Sequence, residues 1–176
     1  MATEFRKMRR FKQQLTTEEC NALLKQEDRG MLAVNGDDGY PYVIPMNFYF
    51  DEKNNSLYLH SARTGYKIDA LKKSSKVCFC LHDQGYTNGG WWQKHFKSVV
   101  IFGRIEFIDD PEKSLEYIKK YDLKFETPEE MESHVAREGH LAQMLELKIE
   151  YMTGKRIIEG EIRTVAEKKQ EPHATA

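Results

Sequence analysis

The stretch RGMLAVNGDDGYPYVIPMNFYF, residues 29–50, decides how this chain of 176 residues folds. Residues 29–35 form an apolar run of strand-forming side chains, and residues 40–50 form a second run of the same kind. The four residues between the runs, Gly-Asp-Asp-Gly at 36–39, are typical of a tight hairpin turn. The stretch therefore predicts two antiparallel strands that are joined by a short turn.

Two prolines restrict where the second strand can lie. Pro41 and Pro45 have no N–H group, so neither can donate a hydrogen bond to a β-ladder. We therefore expect this strand to be interrupted, bulged or at a sheet edge around Pro45. A strand of this kind leaves backbone polar groups free for a ligand.

Further strands follow the hairpin. After a polar turn at 51–55, the pattern predicts strands over 56–61, 76–82 and 96–108. In the third of these strands, Gly103 breaks an otherwise apolar face, which indicates a bend.

The last strand has the clearest alternation in the sequence. One of its sides is expected to face a core and the other mostly water. The expected core side consists of Leu145, Leu147, Ile149 and Tyr151, and the expected water side of Glu146, Lys148, Glu150 and Met152. The chain after Gly154 allows one more strand, over 155–165.

Short helices are expected between and after the strands. Thr16 and Glu19 have the spacing of a capping box, which predicts a helix over 17–27. The other expected helices cover about 64–73, 110–121 and the residues after Thr127-Pro128. Several antiparallel strands without regularly alternating long helices predict a mainly β (α+β) fold, an antiparallel β-barrel with short peripheral helices.

Composition favours one domain without a nucleic-acid or membrane partner. Hydrophobic residues make up 40% of the chain, and the formal net charge of -1 gives no broad basic surface for nucleic acid. No run of about 18 apolar residues is present to span a membrane. Three cysteines form no disulfide framework, so a cytoplasmic location is expected. We expect a weakly ordered lead-in over 1–14, one domain over 15–165 and a disordered tail over 166–176.

The segment HSARTGYK, residues 60–67, concentrates cations and hydroxyl groups where a strand runs into a helix. A helix N-terminus offers free N–H groups and a positive partial charge, and Arg63 and Lys67 would add charged donors. The segment is therefore a candidate phosphate site. The alternative is an ordinary surface helix with both cations in solvent.

Four segments together resemble one known family in their order and spacing. They are RGMLA at 29–33, GYPYVIPMN at 39–47, HSA with GYK within 60–67, and SVVIFGR at 98–104. The match covers about residues 5–158 and resembles the nitroimidazole-resistance branch of the pyridoxamine-phosphate-oxidase-like flavoproteins. This resemblance implies a split β-barrel that binds flavin mononucleotide (FMN) at the interface of a homodimer.

The resemblance also implies roles for individual residues. Four residues would lie along the flavin ring, namely Ile44, Pro45, Met46 and Asn47. Three would lie beside the ring or the ribityl chain, namely Leu59, His60 and Ser61. Lys67 would pair with the phosphate, with Arg63 nearby, and Ser98 and Val99 would approach the cofactor from the opposite subunit.

His60 is the candidate catalytic residue, because histidine titrates near neutral pH and His60 would stand close to the ring; the alternative is a histidine with a structural role only. The expected function is an oxidoreductase in which flavin passes electrons to a small organic substrate, by family analogy a nitroaromatic. The alternative is a protein that binds flavin, or haem through a histidine, without turnover. The loop GGWW at 89–92 suits either closure over a flat ligand or a subunit interface.

No metal site is expected from the spacing of possible ligands. Cys78, Cys80 and His82 share one face of a strand but lack a fourth ligand, so packing in the core is the simpler interpretation. His134 and His140 lack the H-E-x-x-H pattern of helical zinc sites.

Overall fold

The computed structural model describes residues 4–87 and 94–157 of the chain. Within these residues the helices α1 to α4 lie at Thr17–Gln26, Tyr66–Lys73, Pro111–Asp122 and Pro128–Glu138. The strands β1 to β8 lie at Arg29–Asn35, Pro41–Asn47, Tyr49–Asp51, Ser56–Ala62, Lys76–His82, Tyr86–Thr87, Lys94–Ile108 and Ala142–Ile157. The GGWW loop at 89–92, the expected strand beyond 157 and the tail lie outside the described residues.

The strands form one antiparallel sheet with the order β2-β1-β5-β7-β8-β4-β3, and β6 pairs with β7. Strands β2 and β3 stand at the two ends of this order, yet along the chain only Phe48 separates them. The sheet therefore curls into a half-barrel, with four short helices around it. This confirms the predicted fold class, a mainly β (α+β) antiparallel split β-barrel with short peripheral helices.

The inner face of the half-barrel is one continuous apolar core. Phe48 and Phe79 are fully buried and meet edge to face, with ring centroids 5.3 Å apart. Leu59 of β4 and Leu147 of β8 are also fully buried in this cluster. Burial of a side chain of this size contributes about 1.5–3 kcal/mol, so the apolar inner face is the main source of stability.

The proline-containing strand β2 is an edge strand. It pairs with β1 over its whole length and with no other strand of the described residues. This confirms the edge interpretation of Pro45. The ladder continues past Pro45 and ends at Phe48, whose N–H donates to the carbonyl of Asp28, at 3.2 Å.

A register shift between β7 and β8 changes which side chains of β8 face inward. Phe102 lies opposite Tyr151 but Gly103 lies opposite Ile149, so one residue of β8 is left over. The expected faces are therefore wrong beyond this bulge. Met152 packs against the core, and Tyr151 turns to the outer face beside Phe102.

A second, smaller core lies on the outer face, under α3. Tyr117 and Ile118 of α3 pack against Tyr58 of β4 and Met144 of β8, and the rings of Tyr58 and Tyr117 stack at 3.6 Å. Glu146, which was expected to face water, is only 5% exposed in this layer. The expectation is wrong because α3 covers this part of β8.

Three partners make the burial of Glu146 possible. Its carboxylate accepts hydrogen bonds from the Ser56 hydroxyl at 3.0 Å and the Tyr58 hydroxyl at 3.1 Å. The ammonium of Lys113 adds an ion pair at 2.9 Å. A buried charge is tolerated when its lone pairs are satisfied in this way.

The cysteines of β5 do not pack in the main core. Val77 and Phe79 are buried on the inner face, whereas Cys78 and Cys80 are half-buried on the outer face. The expected core packing of the two cysteines is therefore wrong. Both faces of β5 carry apolar side chains, so its pattern did not distinguish inside from outside.

The N-terminal segment and α1 cover one end of the half-barrel. The predicted capping box between Thr16 and Glu19 is present, and Leu24 of α1 is fully buried in the main core. Residues 4–14 run beside β8, where Phe5 stacks on Tyr151 at 4.7 Å. Among the described residues no helix has both the length and the apolar character to span a membrane.

Gly103 allows a close approach of β7 and β8 at the bulge. A side chain at this position would overlap the carbonyl oxygen of Lys148 and lie 2.8 Å from Leu147. Since the backbone cannot yield as a flexible side chain does, we expect Gly103→Ala to lower the free energy of unfolding by about 2 kcal/mol or more. The measurement is urea denaturation followed by circular dichroism.

The matched control is Gly139→Ala at the end of α4. Gly139 has a helical φ of -55°, and a side chain there would meet only Val135, at 3.2 Å. We expect a change of less than about 1 kcal/mol. Equal denaturation midpoints for the two variants would contradict the close approach.

Candidate functional site

The N-terminus of α2 presents N–H groups that no side chain in the described part of the protein caps. Gly65 occupies the capping position before the helix, with a φ of 114°. It has no side chain that could accept a hydrogen bond from the first N–H groups of the helix. The first N–H groups of the helix are therefore available to an anion. Nothing lies within 4 Å of the point where a side chain on Gly65 would begin, so the space there is open.

Lys67, in the first turn of α2, is a half-buried cation next to β2. Its ammonium nitrogen lies 3.1 Å from the sulfur of Met46, and among the described residues it forms no ion pair with a carboxylate. Burial lowers the pKa of Lys67 below its usual value. Because a desolvated charge without a counter-charge is costly, this position favours a bound anion.

The free edge of β2 supplies backbone groups beside Lys67. Since Pro45 has no N–H, the ladder to β1 uses the alternate residues, Ile44 and Met46. Phe48 follows Ile44 and Met46 in this alternation, and its N–H donates to the carbonyl of Asp28, the residue before β1. The backbone polar atoms of Pro45 and Asn47 are thereby directed to the free edge.

Tyr121 of α3 connects the edge strand with His60. The Asn47 side chain accepts a hydrogen bond from Arg29 at 2.6 Å and lies near the Tyr121 hydroxyl. Burial, with a further effect of Asp122, raises the pKa of Tyr121 to about 12. The ring of His60 meets Tyr121 edge to face at 4.8 Å. The sequence analysis did not predict Tyr121 as a site residue, because in the sequence it is indistinguishable from the other apolar positions of a helix.

His60 opens onto a cavity of about 230 Å³ between β4, α3 and α4. The cavity is also lined by Asp122, His134 and Leu141. Burial by its neighbours, and the nearby charges of Lys67 and His134, lower the pKa of His60. A lowered pKa favours the neutral form of the His60 ring, which can donate one hydrogen bond and accept one.

The remaining residues expected near the ring and phosphate differ in their placement. Leu59 and Ser61 are buried on the inner face of β4, opposite to His60, so only their backbone reaches the outer side. Arg63 donates to the carbonyl of His140 at 3.2 Å, which ties it to the turn after α4.

Ser98 and Val99 are not brought to Lys67 within one chain. Their strand, β7, is three strands from β2 in the sheet order, about 14 Å at the usual strand spacing. Val99 is fully buried in the core, and Ser98 is half-buried opposite His82 of β5. A second chain would be needed for the role that the resemblance implies.

An exposed apolar surface, here called the outer apolar face, covers β2, β1, β5 and β7. Met31, Val43 and Phe102 are 50%, 54% and 40% exposed on it, with Cys80 half-buried among them. Met31 lies directly opposite Pro45, so the face extends to the candidate site. Apolar surfaces of this kind mark contacts with a partner or a ligand.

The arrangement fits a planar cofactor that carries a phosphate group. An uncapped helix start and the unpaired Lys67 suit the phosphate, and the free edge of β2 suits the polar rim of a ring. The side chain of Met46, a residue of β2, contacts the ammonium of Lys67 and so links the strand with the helix start. The expected residues Ile44, Pro45, Met46, Asn47, His60 and Lys67 therefore occur in one region.

Comparison with known proteins was made against families, curated proteins and solved structures. A family model described as pyridoxamine 5'-phosphate oxidase matches residues 16–156. No curated protein gives a significant match.

Three solved structures illustrate the similarity in fold. A proposed 5-nitroimidazole antibiotic resistance protein from Bacteroides thetaiotaomicron has a TM-score of 0.71 and 23% identity, covering 81% of this chain and 86% of that one. A FAD-binding protein from Mesorhizobium loti has a TM-score of 0.62 and 23% identity, with coverages of 83% and 96%. A flavocytochrome from Azotobacter vinelandii has a TM-score of 0.73 and 18% identity, with coverages of 94% and 78%.

At these identities the solved structures establish the fold, and the family model establishes the relationship. The match over residues 16–156 includes every strand from β1 to β7 and nearly all of β8. It confirms the family that the four sequence segments indicated. The chain belongs to the pyridoxamine 5'-phosphate oxidase family.

Proposed function

We propose that this protein is an oxidoreductase that binds FMN at the interface of a homodimer and passes electrons from reduced flavin to a small organic acceptor. A nitroaromatic compound is the proposed acceptor class. Flavin-binding members among the structurally similar proteins support a flavin, and the proposed nitroimidazole resistance protein supports the acceptor class.

The observation that carries this proposal is the unpaired ammonium of Lys67 at the uncapped start of α2. A phosphate dianion there would gain charge-assisted hydrogen bonds from Lys67 and from the first N–H groups of the helix. Each such bond is worth about 1.5–3 kcal/mol, which is enough for a stable complex when several act together. Arg63, four residues before Lys67, is a further proposed phosphate donor, which would exchange its hydrogen bond to the His140 carbonyl for one to the phosphate.

The planar part of the cofactor would lie along β2. Ile44, Pro45, Met46 and Asn47 would offer backbone groups at the free edge and apolar atoms for the ring. Leu59, His60 and Ser61 would border the ring or ribityl chain. Ser98 and Val99 of the partner subunit would complete the site.

Bound flavin supplies one- or two-electron transfer, so the protein needs no nucleophile of its own. His60 would contact the acceptor, because its ring borders a cavity and its lowered pKa favours the neutral form. Asn47, held by Arg29 and near Tyr121, would orient the ring edge. The apolar part of the cavity lining, formed by Ile118, Val135 and Leu141, would limit the access of water to the acceptor.

The homodimer is proposed to form through the outer apolar face. Met31, Val43 and Phe102 would leave water on association, at about 25 cal/mol for each Å² of apolar surface that is buried. Since Met31 lies opposite Pro45, the interface would border the flavin. We also propose a cytoplasmic location, which suits the three free cysteines.

A protein that binds flavin or haem without turnover is the second candidate. The lowered pKa of His60 beside a cavity favours it, since neutral imidazole is a haem ligand. A visible spectrum of the purified protein separates flavin from haem. Heat release of the cofactor followed by mass spectrometry separates FMN from FAD.

The first prediction concerns the proposed phosphate contact. We expect Lys67→Ala to weaken FMN binding about 10- to 100-fold, since one charge-assisted hydrogen bond is lost. Thermal stability of the apoprotein should stay nearly unchanged, because the lost ammonium is an unpaired, half-buried charge. FMN binding is measured by quenching of flavin fluorescence.

The control is Lys72→Ala, which removes an exposed cation from the same helix. It should bind FMN as the wild type does. Equal FMN affinities in all three proteins would refute the role of Lys67.

The second prediction concerns the interface. We expect Met31→Asp to give a monomer that has lost most of its FMN, because a carboxylate would be desolvated in the outer apolar face. Light scattering coupled to gel filtration reports the mass. Leu115→Asp, at a 46% exposed apolar position on α3, should remain a dimer. A dimeric Met31→Asp variant would place the interface elsewhere.

The third prediction separates turnover from binding. Under anaerobic conditions, a nitroimidazole should reoxidise the reduced wild-type protein in a stopped-flow spectrophotometer. We expect His60→Ala to keep its flavin but to react at least about tenfold more slowly with the nitroimidazole. A wild-type protein that retains reduced flavin in the presence of the acceptor would favour the binding protein.

A further inference from the structure

The turn between α3 and α4 brings together three possible metal ligands that are not part of the proposed flavin site. They are Asp122 at the end of α3, Glu126 in the turn and His134 in α4. One ligand atom from each lies within 4.8 Å of the others. The Nδ1 atom of His134 is 3.3 Å from a carboxylate oxygen of Glu126 and 3.6 Å from one of Asp122.

The polar atoms that meet there lack hydrogen-bond partners. Asp122 is only 5% exposed, and its Oδ2 atom has no hydrogen bond within the described residues. The Nδ1 atom of His134 is also buried without a hydrogen bond among the described residues, and so is the Oε2 atom of Glu126, the oxygen next to the one that faces His134. Buried polar atoms are nearly always satisfied, so these three atoms indicate a missing partner.

A cation is the partner that suits the charges. Two carboxylates in a poorly hydrated turn repel each other, and desolvation raises the pKa of Asp122. One imidazolium could neutralise only one of the two carboxylates. A divalent ion would neutralise both and would leave His134 neutral as a ligand.

The distances also suit a metal ion better than a hydrogen bond. At 3.3 and 3.6 Å, His134 is too far from both carboxylates for good hydrogen bonds. Two ligands of a first-row metal ion, each about 2.0–2.2 Å from it, are about 3.0–3.5 Å apart. The three side chains therefore need only small movements to coordinate one ion.

We propose that Asp122, Glu126 and His134 bind a divalent transition-metal ion, with Nδ1 of His134 as the nitrogen ligand. The opposite ring nitrogen, Nε2, lies 3.6 Å from a carboxylate oxygen of Glu138. If Glu138 moved to hydrogen-bond distance, it would accept from Nε2, and the resulting tautomer would leave Nδ1 free for the metal. One imidazole and two carboxylates suit Zn²⁺ and Mn²⁺.

The proposed ion would border the cavity that His60 also lines. Asp122, His134 and Glu138 line this cavity together with His60. A coordination position left open by the three ligands would face that space, where water or an anionic group could bind. The proposal does not rest on flavin binding, because none of its three ligands is proposed to contact the flavin, although Asp122 and His134 also line the cavity proposed for the acceptor.

The test uses the full chain, stripped with EDTA and then titrated with Mn²⁺ while free Mn²⁺ is followed by electron paramagnetic resonance. Mn²⁺ prefers oxygen and nitrogen ligands, so the three cysteines do not compete for it. We expect one Mn²⁺ per chain and a metal-dependent rise of the melting temperature. His134→Gln and Asp122→Asn should each weaken binding at least about tenfold.

One control variant, one further ligand variant and a second metal ion complete the test. His140→Gln removes a histidine just after α4 that is outside the cluster, and it should bind Mn²⁺ as the wild type does. Glu126→Gln, in the turn, provides a third ligand variant if a helix variant fails to fold. A Zn²⁺ titration by calorimetry in a Cys78→Ser, Cys80→Ser background covers an ion that binds more tightly. The proposal is overturned if neither ion binds, or if binding is unchanged in the folded ligand variants.

Discussion

Phe48 is the single residue that connects β2 with β3, and this short connection determines the curvature of the whole sheet. The strand before it pairs with β1 and the strand after it pairs with β4, although three other strands lie between these partners in the sheet order. One continuous segment can do so only if the sheet curls. The fully buried ring of Phe48 against Phe79 holds the curl from inside, so the same residue joins the two edges and fills the core.

The curl also explains why chemistry collects where it does. It brings the free edge of β2 next to the start of α2, where Lys67 contacts Met46. The helices that cover the outer face then bury Tyr121 and Asp122 beside His60. Lys67 and Asp122 share one physical property, a desolvated charge that the described chain leaves incompletely compensated. Desolvated charges of this kind lower the stability of a fold unless a partner compensates them. We therefore propose a phosphate as the partner of Lys67 and a metal ion as the partner of Asp122.

Local patterns in the sequence predicted most of the elements. Capping-box spacing at Thr16 gave the start of α1, and the two prolines restricted β2 to an edge, since both effects act within a few residues. The segment at 60–67 likewise showed a strand running into a helix with cations at the junction. These features depend on backbone groups and neighbouring side chains, which a single sequence contains.

Only the tertiary structure showed which side chains of a strand face the core and which are covered by a helix. Tyr151 and Met152 exchanged faces because a bulge opposite Gly103 shifts the register, and Glu146 is buried because α3 packs over it. Asp122, Glu126 and His134 meet only because a turn folds α4 back beside α3. The sequence by itself determined the elements, the edge strand and the family, because those depend on local geometry and ordered motifs. Which side chains converge, and which charges lose water, depends on contacts between distant segments, and these exist only in the folded chain.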